Sequence, residues 1–242
     1  MRRIFFSVAV GALLFSAAAK ADEPAAQVSF LQGTATRTAK SGGVAEALKK
    51  GAHVSAGDTL ETADGARLEI LLKDHSAVRL GPSSKMRLNE AHFGAGEAAK
   101  RQFSAKVFFG SLWAKATAAV GGDNKFDVET DNAVAGVRGT AFRVDAHQDK
   151  SVLVKVFSGA VAVAKNMPSY AIHEPGKGER KQVAGPGQVD RKTWEKLVRA
   201  QMMVAINSDG TPGDPVAFDP ATERDEFTAW NEGLDSREEK GQ

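Results

Sequence analysis

The chain has 242 residues, of which 42% are hydrophobic and 26% are charged, ordinary values for a protein that buries a core. Its 24 glycines predict many tight turns. The sequence contains no cysteine, which excludes disulfides, a cysteine nucleophile, a cysteine-bound zinc and a lipidated cysteine. The 32 basic and 30 acidic residues nearly balance, so the strongly basic face that nucleic-acid binding needs is not expected.

Residues 1–21 have the pattern of an export signal. Arg2 and Arg3 supply the positive start, residues 4–19 form an apolar run, and Ala19-Lys20-Ala21 is a cleavage motif of the small-x-small type. The run is shorter than the ~20 residues that a membrane-spanning helix needs. We therefore expect export to a bacterial periplasm and a mature chain without a transmembrane span, with an uncleaved membrane anchor as the alternative.

Apolar and polar residues alternate between residues 26 and 189, which is the two-residue period of β-strands. Leu68, Ile70 and Leu72, for example, share one face of a predicted strand. Short, turn-forming segments separate the strands, and no helical pattern lies between them. The sequence therefore predicts an all-β domain over residues 22–190, built as an antiparallel sandwich or as a solenoid-like array of strands.

Residues 191–206 are predicted to form an amphipathic helix. Asp190 supplies an N-cap oxygen, and an apolar stripe contains Trp194, Val198 and Met202. Two interpretations of that stripe remain open. It either covers an open edge of the β domain or binds a partner protein.

Residues 207–242 form an acidic tail. They contain ten acidic and three basic residues, which leaves residues 22–206 with a net charge of +6. Asp219-Pro220 predicts the start of a short helix, on which Phe227 and Trp230 share one face. We expect the tail to be partly disordered. Its aromatic pair either is exposed as a docking element for a partner or packs back on the basic body.

The most specific motif, TDNAVAGVRGTAFRV, occupies residues 130–144. Strict alternation would place Arg138 on the buried face, where an unpaired charge is very costly. Gly136 and Gly139 can provide a β-bulge or a close backbone approach that redirects this side chain. We interpret Arg138 as a structural clamp, with a ligand-binding arginine as the alternative. Candidate partners for its guanidinium are backbone carbonyls and the carboxylates of Asp58, Glu129 and Asp131.

This motif resembles the FecR domain, a periplasmic module named for a regulator of ferric citrate uptake. The hallmark of that family is a Thr-x-x-Ala-x-x-Gly-Val-Arg-Gly-Thr-x-Phe run. The residues that match its second half are Gly136, Val137, Arg138, Gly139, Thr140 and Phe142. Gly57 and Asp58 are similar to the family's Gly-Asp-x-(apolar)-x-Thr element, and the resemblance extends over about residues 27–190. Where the family has Asp-Gly between two strands, this chain has Asp74-His75, and histidine tolerates a positive φ.

The resemblance implies a role in protein contacts or in the cell envelope rather than a reaction. FecR-type regulators carry a cytoplasmic sigma-factor-binding region and a membrane span before the periplasmic part, whereas here a short leader precedes the β domain. We therefore expect a free-standing periplasmic FecR-domain protein that acts as a signalling or envelope-assembly accessory. By itself it would not carry a signal to a cytoplasmic sigma factor.

The sequence contains no specific catalytic motif. The five histidines are scattered without metal-binding spacing, and neither a G-x-S-x-G elbow nor a phosphate-binding loop occurs. We predict that the protein is not an enzyme and needs no cofactor or metal.

An alternative function is binding of a cell-wall glycan or another anionic envelope polymer through basic pairs. A third is an envelope hydrolase. The basic pairs are Lys49-Lys50, Lys100-Arg101, Arg180-Lys181 and Arg191-Lys192.

Overall fold

The structure, a computed structural model, describes residues 24–94, 100–117, 124–166 and 195–239. Over those ranges it is an all-β fold of fifteen strands with one C-terminal helix, which confirms the predicted fold class. The predicted leader, residues 1–21, lies outside the described residues. Within the described ranges, no helix is long and apolar enough to cross a membrane.

The strands are short in the first third of the chain and long in the middle. They are β1 (Ala26–Gln32), β2 (Ala35–Thr38), β3 (Glu46–Ala47), β4 (His53–Val54), β5 (Thr59–Thr62), β6 (Arg67–Leu72), β7 (Ala77–Leu80), β8 (Lys85–Phe93), β9 (Arg101–Lys115), β10 (Lys125–Glu129), β11 (Ala133–Ala146), β12 (Val152–Lys165), β13 (Glu195–Arg199), β14 (Met202–Ile206) and β15 (Val216–Ala217). The helix α1 spans Glu226–Glu239.

The sheet has two halves that share the long strands β9, β11 and β12. The first half has the order β4-β1-β6-β7-β9-β11-β12-β14-β15, and the second has the order β3-β2-β5-β8-β9-β10-β11-β12-β13. Strand β9 passes from one half to the other at Gly110, whose φ of +90° favours glycine. Among the described strands, every pairing is antiparallel except that of β9 with β10, which is parallel. The sheet closes in a barrel-like manner, and a solenoid-like arrangement stays a prediction.

Side chains from both halves of the sheet meet in one apolar core. Leu68, Ile70 and Leu72 lie on the same inward face, as their alternation predicts, and each is buried. Val78 and Leu80 of β7 face the same core. The intervening residues of these strands form the outward face of the first half, and α1 covers that face.

The helix predicted over residues 191–206 is wrong. The described part of that segment forms β13 and β14, which continue one another along the edge of β12. They meet at a bulge at Ala200-Gln201, where the φ of Gln201 is +61°. The strand prevails because β12 presents an edge of backbone N–H and C=O groups, and a ladder satisfies them where a helix would not.

The described part of the acidic tail, residues 207–239, is folded, so the expectation of partial disorder is wrong for it. Asp219-Pro220 opens a turn rather than the helix. The helix begins seven residues after Asp219, at Glu226, and Asp225 is its N-cap residue. Its Oδ1 accepts a hydrogen bond from the backbone N–H of Thr228 at 2.8 Å, the geometry of an N-cap residue.

Candidate functional site

Beneath α1, one row of directly opposed residues crosses six strands of the first half of the sheet. Their register places each residue beside the next on neighbouring strands. The row, named the outer row below, consists of Phe30, Glu69, Arg79, Trp113, Arg143 and Lys155. Because strand side chains alternate, the apolar residues next to these face the core, and the row itself faces α1.

Arg79 is the centre of this site and is completely buried. Its guanidinium donates hydrogen bonds to Glu69 and, at 2.5 Å, to Oδ1 of Asp235 on α1. The indole N–H of Trp113 donates to the other oxygen of Asp235 at 3.2 Å, and Ser29 Oγ donates to Glu69 at 2.6 Å. Burial disfavours the charged guanidinium, but Asp235 and Glu69 outweigh it and raise the pKa of Arg79. A permanent buried cation therefore sits between two carboxylates.

Arg143 holds the first turn of α1. Its Nη1 donates to Asp225 at 2.6 Å and to Thr228 Oγ1 at 3.0 Å, while Nε donates to Asp145 at 2.8 Å. The guanidinium also lies 5.3 Å from the ring centroid of Phe227. Burial opposes ionisation of both Arg143 and Asp225. The carboxylate of Asp145, followed by that of Asp225, outweighs burial and raises the pKa of Arg143. Arg143 in turn outweighs burial at Asp225 and lowers the pKa of that carboxyl.

At one end of the row, Trp230 of α1 packs on Phe30, with ring centroids 5.4 Å apart. The guanidinium of Arg67 lies 5.8 Å from the Trp230 ring and donates to Glu226 at 3.1 Å. At this end, therefore, an aromatic contact and an exposed ion pair anchor α1.

At the opposite end of the row, the segment before α1 makes the contacts. Lys155 pairs with Glu223, and its ammonium lies 5.7 Å from the ring centroid of Phe218. Phe218 in turn contacts Phe157 edge-on, with centroids 5.4 Å apart, and Phe157 packs on Trp113. Cations and aromatic rings thus both contribute contacts at this end of the covered surface.

The helix presents two adjacent stripes to the sheet. One contains the aromatic residues Phe227 and Trp230, and the other contains Thr228, Asn231 and Asp235, all three buried. Of the two interpretations of the aromatic pair, the structure has the one in which it packs back on the basic body. Its role in docking a partner stays a prediction. The sequence pattern did not reveal the polar stripe, because threonine, asparagine and aspartate normally indicate a solvated face.

The arginine motif lies in β11 at the crossing between the two halves of the sheet. The register shifts between Arg138 and Ala141, which confirms the predicted bulge, and Gly139 has a φ of +60°. Gly136 pairs with Ala162 of β12. The side chain of Arg138 lies outside the described residues, so its role as a clamp stays a prediction.

The other motif residues serve packing. Phe142 is completely buried and Val137 nearly so. Thr140 is buried beside Gly159. A Cβ added to Gly159 would lie 2.5 Å from the Cγ2 of Thr140. Glycine at position 159 is therefore required by space as well as by its φ of +75°.

Gly57 and Asp58 form a turn against β8. Gly57 has a φ of +94°, and the backbone N–H of Leu88 donates to the carbonyl of Asp58 at 2.9 Å. The Asp58 carboxylate accepts the backbone N–H of Ser55 at 2.9 Å and lies 3.6 Å from Arg37. The two other carboxylates proposed as partners of the arginine clamp have described contacts of their own, Glu129 with Ser104 and Asp131 with Lys106.

Residues 58–162 match the family model described as FecR protein. The chain contains a FecR domain. Five members of the outer row lie within this FecR domain, whereas Phe30 and α1 lie outside the matched residues. The matched range is narrower than the resemblance over residues 27–190. The strands before residue 58 and after residue 162 are not part of the match.

Two crystal structures of a proposed anti-sigma factor from Parabacteroides distasonis ATCC 8503 are similar to this chain. They are 19% and 18% identical to it, with TM-scores of 0.47 and 0.41. The similarity covers 72% and 66% of this chain, and 65% and 59% of those chains, which is less than two thirds of their length. No curated protein matches the sequence.

The other predicted docking residues are distributed differently. Val198 is completely buried in β13, next to the FecR domain, and Met202 is half-buried in β14. Trp194 lies outside the described residues. Because Val198 faces the core, it is not available to a partner in this structure.

Two of the four basic pairs, Lys49-Lys50 and Lys100-Arg101, lie within the residues that the structure describes. Lys49 and Lys50 are exposed between β3 and β4, while Arg101 begins β9. The pairs at positions 180–181 and 191–192 lie outside the described residues. Across the described ranges, no three histidine or carboxylate side chains form a group that could hold a metal ion.

Proposed function

We propose that this protein is a non-enzymatic accessory of the periplasm whose FecR domain binds other proteins in signalling or envelope assembly. The FecR match supports a regulatory accessory role. The pattern of residues 1–21 supports export, because it combines a basic start, an apolar run and a cleavage motif.

The observation that carries the proposal is the way the FecR domain holds a helix. Its outer row contacts a protein segment through buried cations and aromatic rings, and that segment is an acidic helix. Tryptophan and arginine are the residues that most often dominate protein–protein binding energy. A surface with this composition is well suited to protein ligands.

Photo-crosslinking in cells tests the proposal. A photoreactive amino acid replaces Leu153, which lies on β12 beside the outer row, and in a control strain replaces the exposed Glu90 on β8. We expect a light-dependent protein adduct from position 153, none from position 90, and a periplasmic chain that begins at Asp22. Absence of a protein adduct at both positions would contradict the proposal.

The glycan alternative makes a different prediction for the same chain. The net charge of +6 on residues 22–206 favours an anionic polymer. Several of the cations on the outer face, however, already pair with the acidic tail. Salt-sensitive retention of the mature chain on purified cell-wall material, without a protein adduct, would support the alternative instead.

A further inference from the structure

Four ion pairs join α1 and the segment before it to the FecR domain. Asp225, Glu226 and Asp235 reach cations on the sheet, as does Glu223 just before the helix. The helix is held through side chains rather than through a shared strand ladder. Interfaces that exchange partners are typically more polar than permanent ones, so this chemistry fits a contact that opens.

Buried polar atoms without partners concentrate at the same contact. Three such side-chain atoms occur in the described part of the chain, and two of them, Arg67 Nε and Asn231 Oδ1, lie between α1 and the sheet. Permanent cores satisfy nearly all their buried polar groups. At this interface two buried polar atoms thus lack a hydrogen-bond partner, against one elsewhere in the described residues.

From these observations we infer that α1 is an internal substitute for an acidic amphipathic helix of a partner protein, which binds the outer row in its place. This inference rests on the proposed protein-binding function and names the class of partner. The FecR domain remains folded in both states, and only the occupant of the row changes.

The contacts of α1 define the chemistry of that partner. It needs one carboxylate that reaches Arg79 and Trp113, as Asp235 does, and another that reaches Arg143, as Asp225 does. These two carboxylates are ten residues apart, or about 15 Å along a helix. Between them the partner needs aromatic side chains on the same face.

An anionic polymer would satisfy only part of this surface. It provides carboxylates for the cations, but not the rings that pack on Phe30 and Arg143 in this structure. An amphipathic helix provides both. Helix-in-groove binding is a common mode of peptide recognition, with anchors at helical spacing.

Because α1 is tethered, it competes with any partner at a high effective concentration. Weakening α1 should therefore strengthen binding of an external helix, and this consequence is measurable. The probe is a fluorescent peptide of residues 218–239, used with the full mature chain. Asp235→Asn weakens the docking of the tethered helix at its buried end, and Asp225→Asn weakens it at its more exposed end. Glu226→Gln is the matched control, because it removes a charge from a side chain that is 94% exposed.

We expect the peptide to bind the Asp235→Asn protein at least about tenfold more tightly than the wild type, because the internal competitor loses a buried charge. The Asp225→Asn protein should bind it about threefold more tightly, because that carboxylate is half exposed. The Glu226→Gln protein should bind like the wild type. A peptide that itself carries Asp235→Asn should bind all four proteins at least about tenfold more weakly than the wild-type peptide does. Thermal melting of each protein confirms that the sheet is folded.

Three results would overturn the inference. One is equal peptide binding by the wild type and both weakened variants, with all of them folded. The second is a dimer that exchanges α1 between copies, detected by light scattering, because the occupant would then be a second copy. The third, crosslinks in cells without peptide binding, would refute this inference while leaving the proposed function intact.

Discussion

Replacing Asp235 with asparagine tests the centre of the site. The substitution keeps the shape of the side chain and removes the charge that faces Arg79, which is completely buried. Trp113 also donates to this carboxylate, so the change affects two contacts at once. We expect Asp235→Asn to destabilise the docked helix strongly.

The magnitude follows from the surroundings of Arg79. Removing one partner of a buried ion pair costs about 3–5 kcal/mol, because the remaining charge is left in a poorly solvated site. Glu69 still pairs with Arg79 in the variant, which places the cost near the lower value, about 3 kcal/mol. Glu226→Gln removes the same charge from the same helix where the side chain is 94% exposed, and should cost about 0.5 kcal/mol or less.

Urea unfolding of the full mature chain, followed by tryptophan fluorescence, measures both losses. Trp113 and Trp230 lie at the contact between helix and sheet, so the signal reports release of α1 as well as global unfolding. Equal losses of stability in Asp235→Asn and Glu226→Gln would refute the reasoning, because buried and exposed charges would then contribute alike.

Three further predictions concern the backbone and the pH. Gly159→Ala should destabilise the protein by more than about 2 kcal/mol, because the new Cβ would lie 2.5 Å from Thr140. Gly65→Ala, where φ is also positive but no atom is near, should cost about 1 kcal/mol. Thermal or urea unfolding measures both costs, and equal costs would contradict the packing argument. Gly233→Ala, within α1 and in open space, should stabilise by up to about 1 kcal/mol, and a loss would show that α1 is not helical there. Burial opposes ionisation of Asp225, yet Arg143 outweighs it and lowers the pKa of this carboxyl. Its contribution to docking is therefore complete above the ordinary aspartate pKa of about 3.9 and is lost as the pH falls from there through the lowered pKa of the docked state. Tryptophan fluorescence should therefore report release of α1 on acidification, and an unchanged signal down to about pH 2 would contradict this.

Strand periodicity predicted much of the fold because it is a local property. The alternation of Leu68, Ile70 and Leu72 matches their burial, and Asp74-His75 forms the predicted turn, with a φ of +64° at His75. The glycine at position 139 marks the bulge in the arginine motif. These features depend only on neighbouring residues and on their backbone preferences.

The prediction of a helix over residues 191–206 was wrong because it used only local sequence information. Val198 and Met202 fit a helical stripe, but the edge of β12 requires a pairing strand. The buried pair of Arg79 and Asp235 was missed for the same kind of reason, since the two residues are 156 positions apart. The opposite charges of the body and the tail were the available signal, and they allowed both an exposed and a packed tail.

Native-state hydrogen exchange of the full mature chain tests the central claim most directly, namely that α1 is an exchangeable occupant of the outer row. We predict that the amides of α1 exchange together through an opening with a free energy well below that of global unfolding. The amides of β9 and β11 should exchange only by global unfolding. If the amides of α1 showed the same protection as those of β9 and β11, the helix would be a permanent part of the core, and the account would be wrong.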